Sequence, residues 1–438
     1  MFFQFPKHNI PNDVLRIYNK LAKARIIGNC EQREILPDEP HFFSYACERS
    51  PDSVKIQRGF GYGCSDNEAE AFTSAMAEAI EHYCILLERD ELFIKDSYNN
   101  LKNMAVNPTR FVPFSKAQLK NPSFKKFKVD ECTSINWLEG YSLTNKRKVL
   151  VPASLVYANY KSTLRKEPTI QMGISTGAAC GPSLEYAQYR GICEIIERDA
   201  YMTSFINKIP KKVIDIDSNQ YLAAFKRRIE RYNLEVYVLN TQLDLPTTTT
   251  ACIILDRTGS GPAVCAGLGG SLDPKKTIQA SVLEAVRRHA SSRNRFFRGK
   301  PLPMPRKNSF DWFSLQRQIL WAAPHMLLKA EEFIKNGTIS YKELDNTKTT
   351  FSYEGKVKYL VDKLSSKNCE VICVDVTLPE VEEQGLKVVK MLVPESVPLW
   401  KDERYPYLGI NRLRDVPRKM GYKIKPIAQE NAFSLHPF

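Results

Sequence analysis

Two pairs of glutamates, Glu78 with Glu81 and Glu194 with Glu197, are spaced three apart, so on a helix each pair projects from one face. Both stand on otherwise apolar segments, and in CEIIERDAYM the acids lie among Ile192, Ile195 and Ile196. A buried carboxylate is costly unless it meets a cation or a metal. Two such pairs on related helices could close a hard-oxygen cage for Mg²⁺, the ion that prefers carboxylates bridged to nucleotide phosphates. Ser74, one turn before Glu78, offers a hydroxyl to a phosphate or metal. Arg198, beside Glu197, offers a fork of donors to phosphate charge. The bland alternatives stand beside these: surface glutamate pairs are common, and Arg198 could serve a neighbouring carboxylate.

An internal repeat positions these residues. Gly61 precedes Glu78 by seventeen residues, and Gly177 with Glu194 and Gly267 with Glu284 repeat that spacing. The surroundings match as well, in AEAIEH, CEIIER and LEAVRR. Each copy reads as a small-residue turn feeding an amphipathic helix, with Phe72, Met76, Ile80 and Tyr83 marking one apolar stripe. Three related modules follow. Around them run strand-like segments: INWLEGYSL with KVLVPASLVYANY, EVYVLNT with TACIILD, and CEVICVDVTL with VVKMLVP. ACIILD is continuously apolar, as in a sheet covered on both faces. The class is α/β (α+β) with mixed sheets.

The 438 residues, 43% hydrophobic and 26% charged, rule out a small stapled domain and a disordered tail. No low-complexity tract divides the chain, so domains are interleaved rather than strung on linkers. The 11 cysteines are scattered without a CxxC, which reads as reduced, structural thiols. No apolar stretch approaches the ~18–20 residues of a membrane helix, and MFFQFPKHNI is too short for a signal core, so the expected location is cytoplasmic. Lys+Arg 63 against Asp+Glu 49 leaves +14, which favours polyanionic or acidic partners. Basic clusters in PSFKKFK, FKRRIERY and RRHASSRNRFFRGK raise nucleic-acid binding as a different class, although no recognised binding module accompanies them. GFGYG, STGAACG and AGLGG lack the Lys-Ser/Thr ending of a Walker loop, and no HExxH occurs. His82 and His289 read as structural.

Taken together, SAMAEAIEHY, STGAACGPSLEYAQYRGICEIIERDA and GLGGSLDPKKTIQASVLEAVRR resemble the three signatures of the YcaO family. INWLEGYSL with VLVPASLVY, VDVTLPEVEEQGLKVVKMLVP and LGINRLRDVP are similar to its peptide-maturing, thiazole/oxazole-forming branch. The likeness runs from about residue 55 to the C-terminus. It implies an N-terminal extension (1–54) on a catalytic domain (55–438) of three modules (about 55–135, 136–235 and 236–438), built as strand, glycine turn and helix around a non-P-loop ATP site.

By that resemblance Glu78, Glu81, Glu194 and Glu197 hold Mg²⁺, while Ser74, Glu185, Arg198, Glu284 and Arg287 face ATP. His436 and Pro437 of the tail would serve catalysis. The implied reaction is ATP-dependent cyclodehydration of Cys, Ser or Thr in a ribosomally made precursor peptide to azolines. Thioamide or amidine formation, a catalytically degenerate scaffold and a nucleic-acid-binding protein are the alternatives. A separate ThiF-like or leader-binding partner and a homodimer are also implied. The chain departs from the pattern at Tyr62 (often Lys), His82 (usually Arg), Tyr186 (often acidic) and Arg287 (usually Gln), and SLHPF replaces the PxPxP tail.

Overall fold

The computed structural model describes residues 2–3, 9–49, 59–297, 314–345 and 347–424. His436 and Pro437 lie outside the described residues. Three sheets form the frame. The first, β1 (Phe2–Phe3), β2 (Ile27–Arg33), β3 (Phe43–Arg49) and β4 (Gly59–Ser65), is antiparallel in chain order. The second contains β5 (Ile94–Ser97), β6 (Ser134–Ser142), β7 (Arg147–Pro152), β8 (Ala178–Gly181), β14 (Ile372–Asp375) and β15 (Lys387–Leu392), in the order β5-β6-β14-β15-β8 with β7 on β6. The third contains β9 (Val213–Asp215), β10 (Leu234–Asn240), β11 (Thr248–Asp256), β12 (Val264–Ser271) and β13 (Thr338–Ser340), in the order β12-β11-β10-β9-β13. Every residue of β11 and β12 is buried, as the apolar run ACIILD requires of a strand covered on both faces.

Three helices carry the repeat: α2 (Glu68–Leu86), α3 (Leu184–Ile206) and α4 (Pro274–Phe297), with α1 (Asn12–Lys23) preceding them. Asn67 caps α2 and Ser183 caps α3 through their side-chain oxygens. Each long helix bridges two sheets. Helix α2 packs on β3 and β4 and also on β8 and β15; α3 packs on β8 and β15 and also on β11 and β12; α4 packs on β11 and β12 and returns to β4. The three sheet–helix units thus close in a ring, and the faces turned inward carry the glutamates.

The local reading needs three corrections. The glycines of GFGYG and AGLGG are not turns but lie inside β4 and β12. A Cβ at Gly61 would strike the backbone of Ala75 and Ala79 in α2, and one at Gly267 would strike Ser281 and Ala285 in α4, so glycine lets the helix lie on the strand backbone. Only Gly177, with φ +85°, makes the expected turn, just before β8. The segment KVLVPASLVYANY breaks after Pro152, where a short helix, Ala153–Val156, replaces the strand. Lastly, β2 and β3 pair into the sheet of β4, so a boundary at 54/55 falls within one sheet. Tyr45 and Asn9 from this early segment bind the buried Glu68 carboxylate at the start of α2, at 2.7 and 2.9 Å.

Candidate nucleotide and metal site

The seventeen-residue spacing has a structural cause. Glu78 accepts a hydrogen bond from the Tyr62 N–H at 2.8 Å, Glu194 from the Gly177 N–H at 2.9 Å and Glu284 from the Leu268 N–H at 2.9 Å. In each unit the glycine segment brings a backbone donor to the glutamate of its own helix. One oxygen of each carboxylate is fixed by that donor, and the other oxygen of Glu194 and of Glu284 faces an arginine.

One turn on, Glu81 and Glu197 face the same space. Burial and the neighbouring Glu194 and Glu78 push the Glu81 carboxyl well above the usual range. Burial also raises Glu197 to about 7, against the pull of Arg198, with Glu194 and Glu284 adding to the rise. Glu78 is raised by burial in spite of Arg287 and the Tyr62 N–H. Glu284 goes the other way. Its burial is outweighed by Arg288, Arg198 and Arg287, which hold it below the ordinary value. Arginine thus outweighs burial at Glu284 but not at Glu78, Glu81 or Glu197.

Arg198 lies 3.4 Å from Glu194 and 3.3 Å from Glu197; Arg288 and Arg287 lie 3.2 and 3.7 Å from Glu284. Ser74 is exposed on α2, one turn before Glu78 on the same face. Glu185 is set apart. Nine residues before Glu194, in the first turn of α3, it lies about half a turn round the helix from it.

The sequence departures meet one another here. The Arg287 guanidinium lies over the Tyr62 ring, 5.1 Å from its centroid, so a cation stands at the place where Tyr62 itself brings none. Arg49, from β3, contacts His82 Nδ1 at 2.9 Å. Burial, Arg49 and Lys401 depress the His82 imidazole to about 4, so it is neutral near pH 7 and the positive charge belongs to Arg49. Sequence reasoning missed Arg49, Lys401, Arg288 and Lys390. Lys390 is buried on β15 and donates to the carbonyls of Ile174 and Thr176 at 2.8 and 2.7 Å. Its pKa falls to about 8 through burial, partly offset by Glu194 and Glu81. The one sequence signal for it was a lone lysine within the apolar run VVKMLVP.

Among the described residues no group of three or more His, Cys, Asp or Glu side chains is arranged to enclose one metal ion. The donors fit Mg²⁺ all the same. They are hard carboxylate oxygens, and Mg²⁺ commonly takes one or two carboxylates and completes its shell with water and phosphate. The surrounding arginines and lysines supply charge for an anion that bridges such an ion.

A YcaO cyclodehydratase family model, described as ATP- and Mg²⁺-binding, matches residues 60–397. The chain belongs to the YcaO family. A protein of Methanothermobacter thermautotrophicus is 24% identical over 348 residues, 76% of this chain and 80% of its own length. Among solved structures, a heterocyclase in complex with substrate and cofactor superposes with a TM-score of 0.78 at 21% identity, covering 96% of this chain and 57% of that one. YcaO from Methanopyrus kandleri bound with AMPPCP and Mg²⁺ gives 0.64 at 19% identity, with 90% and 91% covered. The E. coli microcin synthetase McbBCD complex with pro-MccB17 bound gives 0.60 at 11% identity, with 91% and 96% covered. The mixed α/β frame is thus the YcaO fold, and ATP with Mg²⁺ is the cofactor pair of the family. No helix among the described residues is long and apolar enough to cross a membrane.

Proposed function

We propose that this YcaO chain cyclodehydrates Cys, Ser or Thr residues of a ribosomally made precursor peptide to azolines at the expense of ATP. The observation that carries the reading is the convergence of Glu78, Glu81, Glu194, Glu197 and Glu284, with Arg198, Arg287 and Arg288, from three repeated units. Glu78, Glu81, Glu194 and Glu197 would hold Mg²⁺; Ser74, Arg198, Glu284 and Arg287 would face the nucleotide. Mg²⁺ supplies neutralisation of phosphate charge when bound. Built mainly of carboxylates and guanidiniums, the site suits a reaction whose nucleophile belongs to the substrate.

A substrate thiol or hydroxyl adds to the preceding amide carbon, losing its proton and forming the C–S or C–O ring bond. The former carbonyl oxygen takes the γ-phosphoryl group of ATP, releasing ADP. The amide nitrogen then gives up its proton as its electron pair expels phosphate, closing the C=N bond. The arginines hold the anionic oxygens throughout. A ThiF-like or leader-binding partner delivers the peptide, and the chain acts as a homodimer.

Reconstitution with the products of neighbouring genes tests this, read by mass spectrometry of the candidate peptide. The expected result is loss of one water per ring, dependent on ATP and abolished by Glu194→Ala and Glu197→Ala. Exchange of oxygen for sulfur would make the product a thioamide, and fragmentation placing the lost water in a macrocycle would make it an amidine. An unmodified peptide, or equal conversion by wild type and both variants, would overturn the catalytic reading.

A further inference from the structure

Beyond Glu197 and Arg198, α3 runs on into a different environment. Its last turns, with α5 (Ser314–Trp321), α6 (Met326–Ile334) and the β10–β12 side of the third sheet, enclose a cavity of about 380 Å³. That is the size of a small-molecule pocket. Its walls are aromatic and aliphatic: Tyr201 and Phe205 stack at 6.0 Å between centroids, Phe205 and Phe333 at 5.9 Å, and Trp321 lies 6.2 Å from Phe333. Ala251 and Ala266 leave the floor open.

Into this apolar space the chain places Lys211, only 8% exposed. No carboxylate pairs with it among the described residues, and burial alone depresses its pKa to about 7. A buried ammonium without a counter-ion is expensive, and a lysine at such a place is rare unless something pairs with it. Nearby, the Ser204 hydroxyl also lines the cavity and has no hydrogen-bond partner among the described residues. The rim adds Lys208 and Lys329 against Glu332, an excess of positive charge at the mouth.

We propose that this cavity is a second ligand site, for a small monocarboxylate with an aromatic or aliphatic body, whose carboxylate pairs with Lys211 and accepts from Ser204. One buried ammonium balances one negative charge. A dianionic phosphate would bury a surplus, so the monoanion is the better match. The stacked rings provide the apolar complement. The site is independent of the nucleotide reading: it shares α3 with the carboxylate cluster but none of its acids.

Phenylbutyrate and its neutral counterpart phenylbutanol are the probes, with affinities measured by calorimetry on the full chain. The expected result is phenylbutyrate binding about tenfold tighter than phenylbutanol. Lys211→Met should bring the acid down to the level of the alcohol while leaving alcohol binding as it was, and Ala251→Phe, which fills the cavity, should abolish both. The acid-against-alcohol comparison needs no variant, so a poorly folding mutant cannot rescue the idea. Equal affinities in the wild type, no binding of either at millimolar concentration, or a preference that survives Lys211→Met would overturn it.

Discussion

Lys211 and Glu284 are both charged groups taken out of water, with opposite outcomes. Three arginines stabilise the Glu284 carboxylate, whereas Lys211 has no such partner among the described residues. Between about pH 7 and pH 10.5 the unfolded chain keeps the proton that folded Lys211 has given up. Stability therefore rises with pH across that window, and the full cost of burial is felt below it. Lys211→Met should stabilise the protein by about 2–4 kcal/mol below about pH 7, with the gain shrinking towards pH 10.5; thermal melts across that range check the slope. Residues of the carboxylate cluster were legible because the three-residue and seventeen-residue spacings are local. Arg49 and Lys390 were not, since only pairing of distant strands brings them to the acids, and Lys401 reaches Arg49 and His82. Each basic cluster considered for nucleic acid gives residues to the fold itself: Lys126 lies over Phe127 and Tyr405, Arg228 over Phe42, and Arg287 and Arg288 turn to Glu284.

At the scale of elements, the glycine segments were read correctly as part of a repeat, but two of them, GFGYG and AGLGG, wrongly as turns. Sequence spacing marks where glycine is required, but a turn and a close strand–helix approach impose the same requirement. The equivalence is detailed: Gly61 and Gly63 meet Ala75, Ala79 and Ala71 of α2, as Gly267 and Gly269 meet Ser281, Ala285 and Thr277 of α4. Gly61→Ala and Gly267→Ala should each push a helix off its strand, costing about 2–4 kcal/mol and displacing Glu78 or Glu284 from its backbone donor. Urea unfolding reads the first effect and nucleotide affinity the second. Gly259→Ala, a change at a position open to solvent with φ +75°, should cost no more than about 1–2 kcal/mol and leave nucleotide affinity unaltered.

Over the whole molecule, the ring of three units explains why the chain did not divide at its sequence boundaries: the second sheet draws strands from residues 94 to 392. Cysteine usage agrees with this packing, for all 11 thiols are free and eight are buried. The C-terminal part is tied to the central helix by Arg412, in the helix Arg412–Lys419. It pairs with Asp199 of α3 at 2.7 Å and Asp244 at 2.8 Å, while Asp199 also accepts from the Val397 N–H at 2.9 Å. Asp199→Ala should cost about 3 kcal/mol, because the buried guanidinium loses one of its two carboxylates and the buried N–H loses its acceptor; a melting temperature several degrees lower would register it. The fold class and the acids were readable from local pattern, but ring closure and the latch depend on contacts some two hundred residues apart in sequence.

The claim that unites these scales is that the converging glutamates form a Mg²⁺-dependent ATP site. Calorimetric titration of the purified chain with a non-hydrolysable ATP analogue, with and without Mg²⁺, measures it directly. Wild type should bind only with Mg²⁺, and the Glu194→Gln/Glu197→Gln double variant, with an unchanged circular dichroism spectrum, should bind at least about tenfold more weakly. Binding that needs no Mg²⁺, or that survives the double substitution undiminished, would contradict the account.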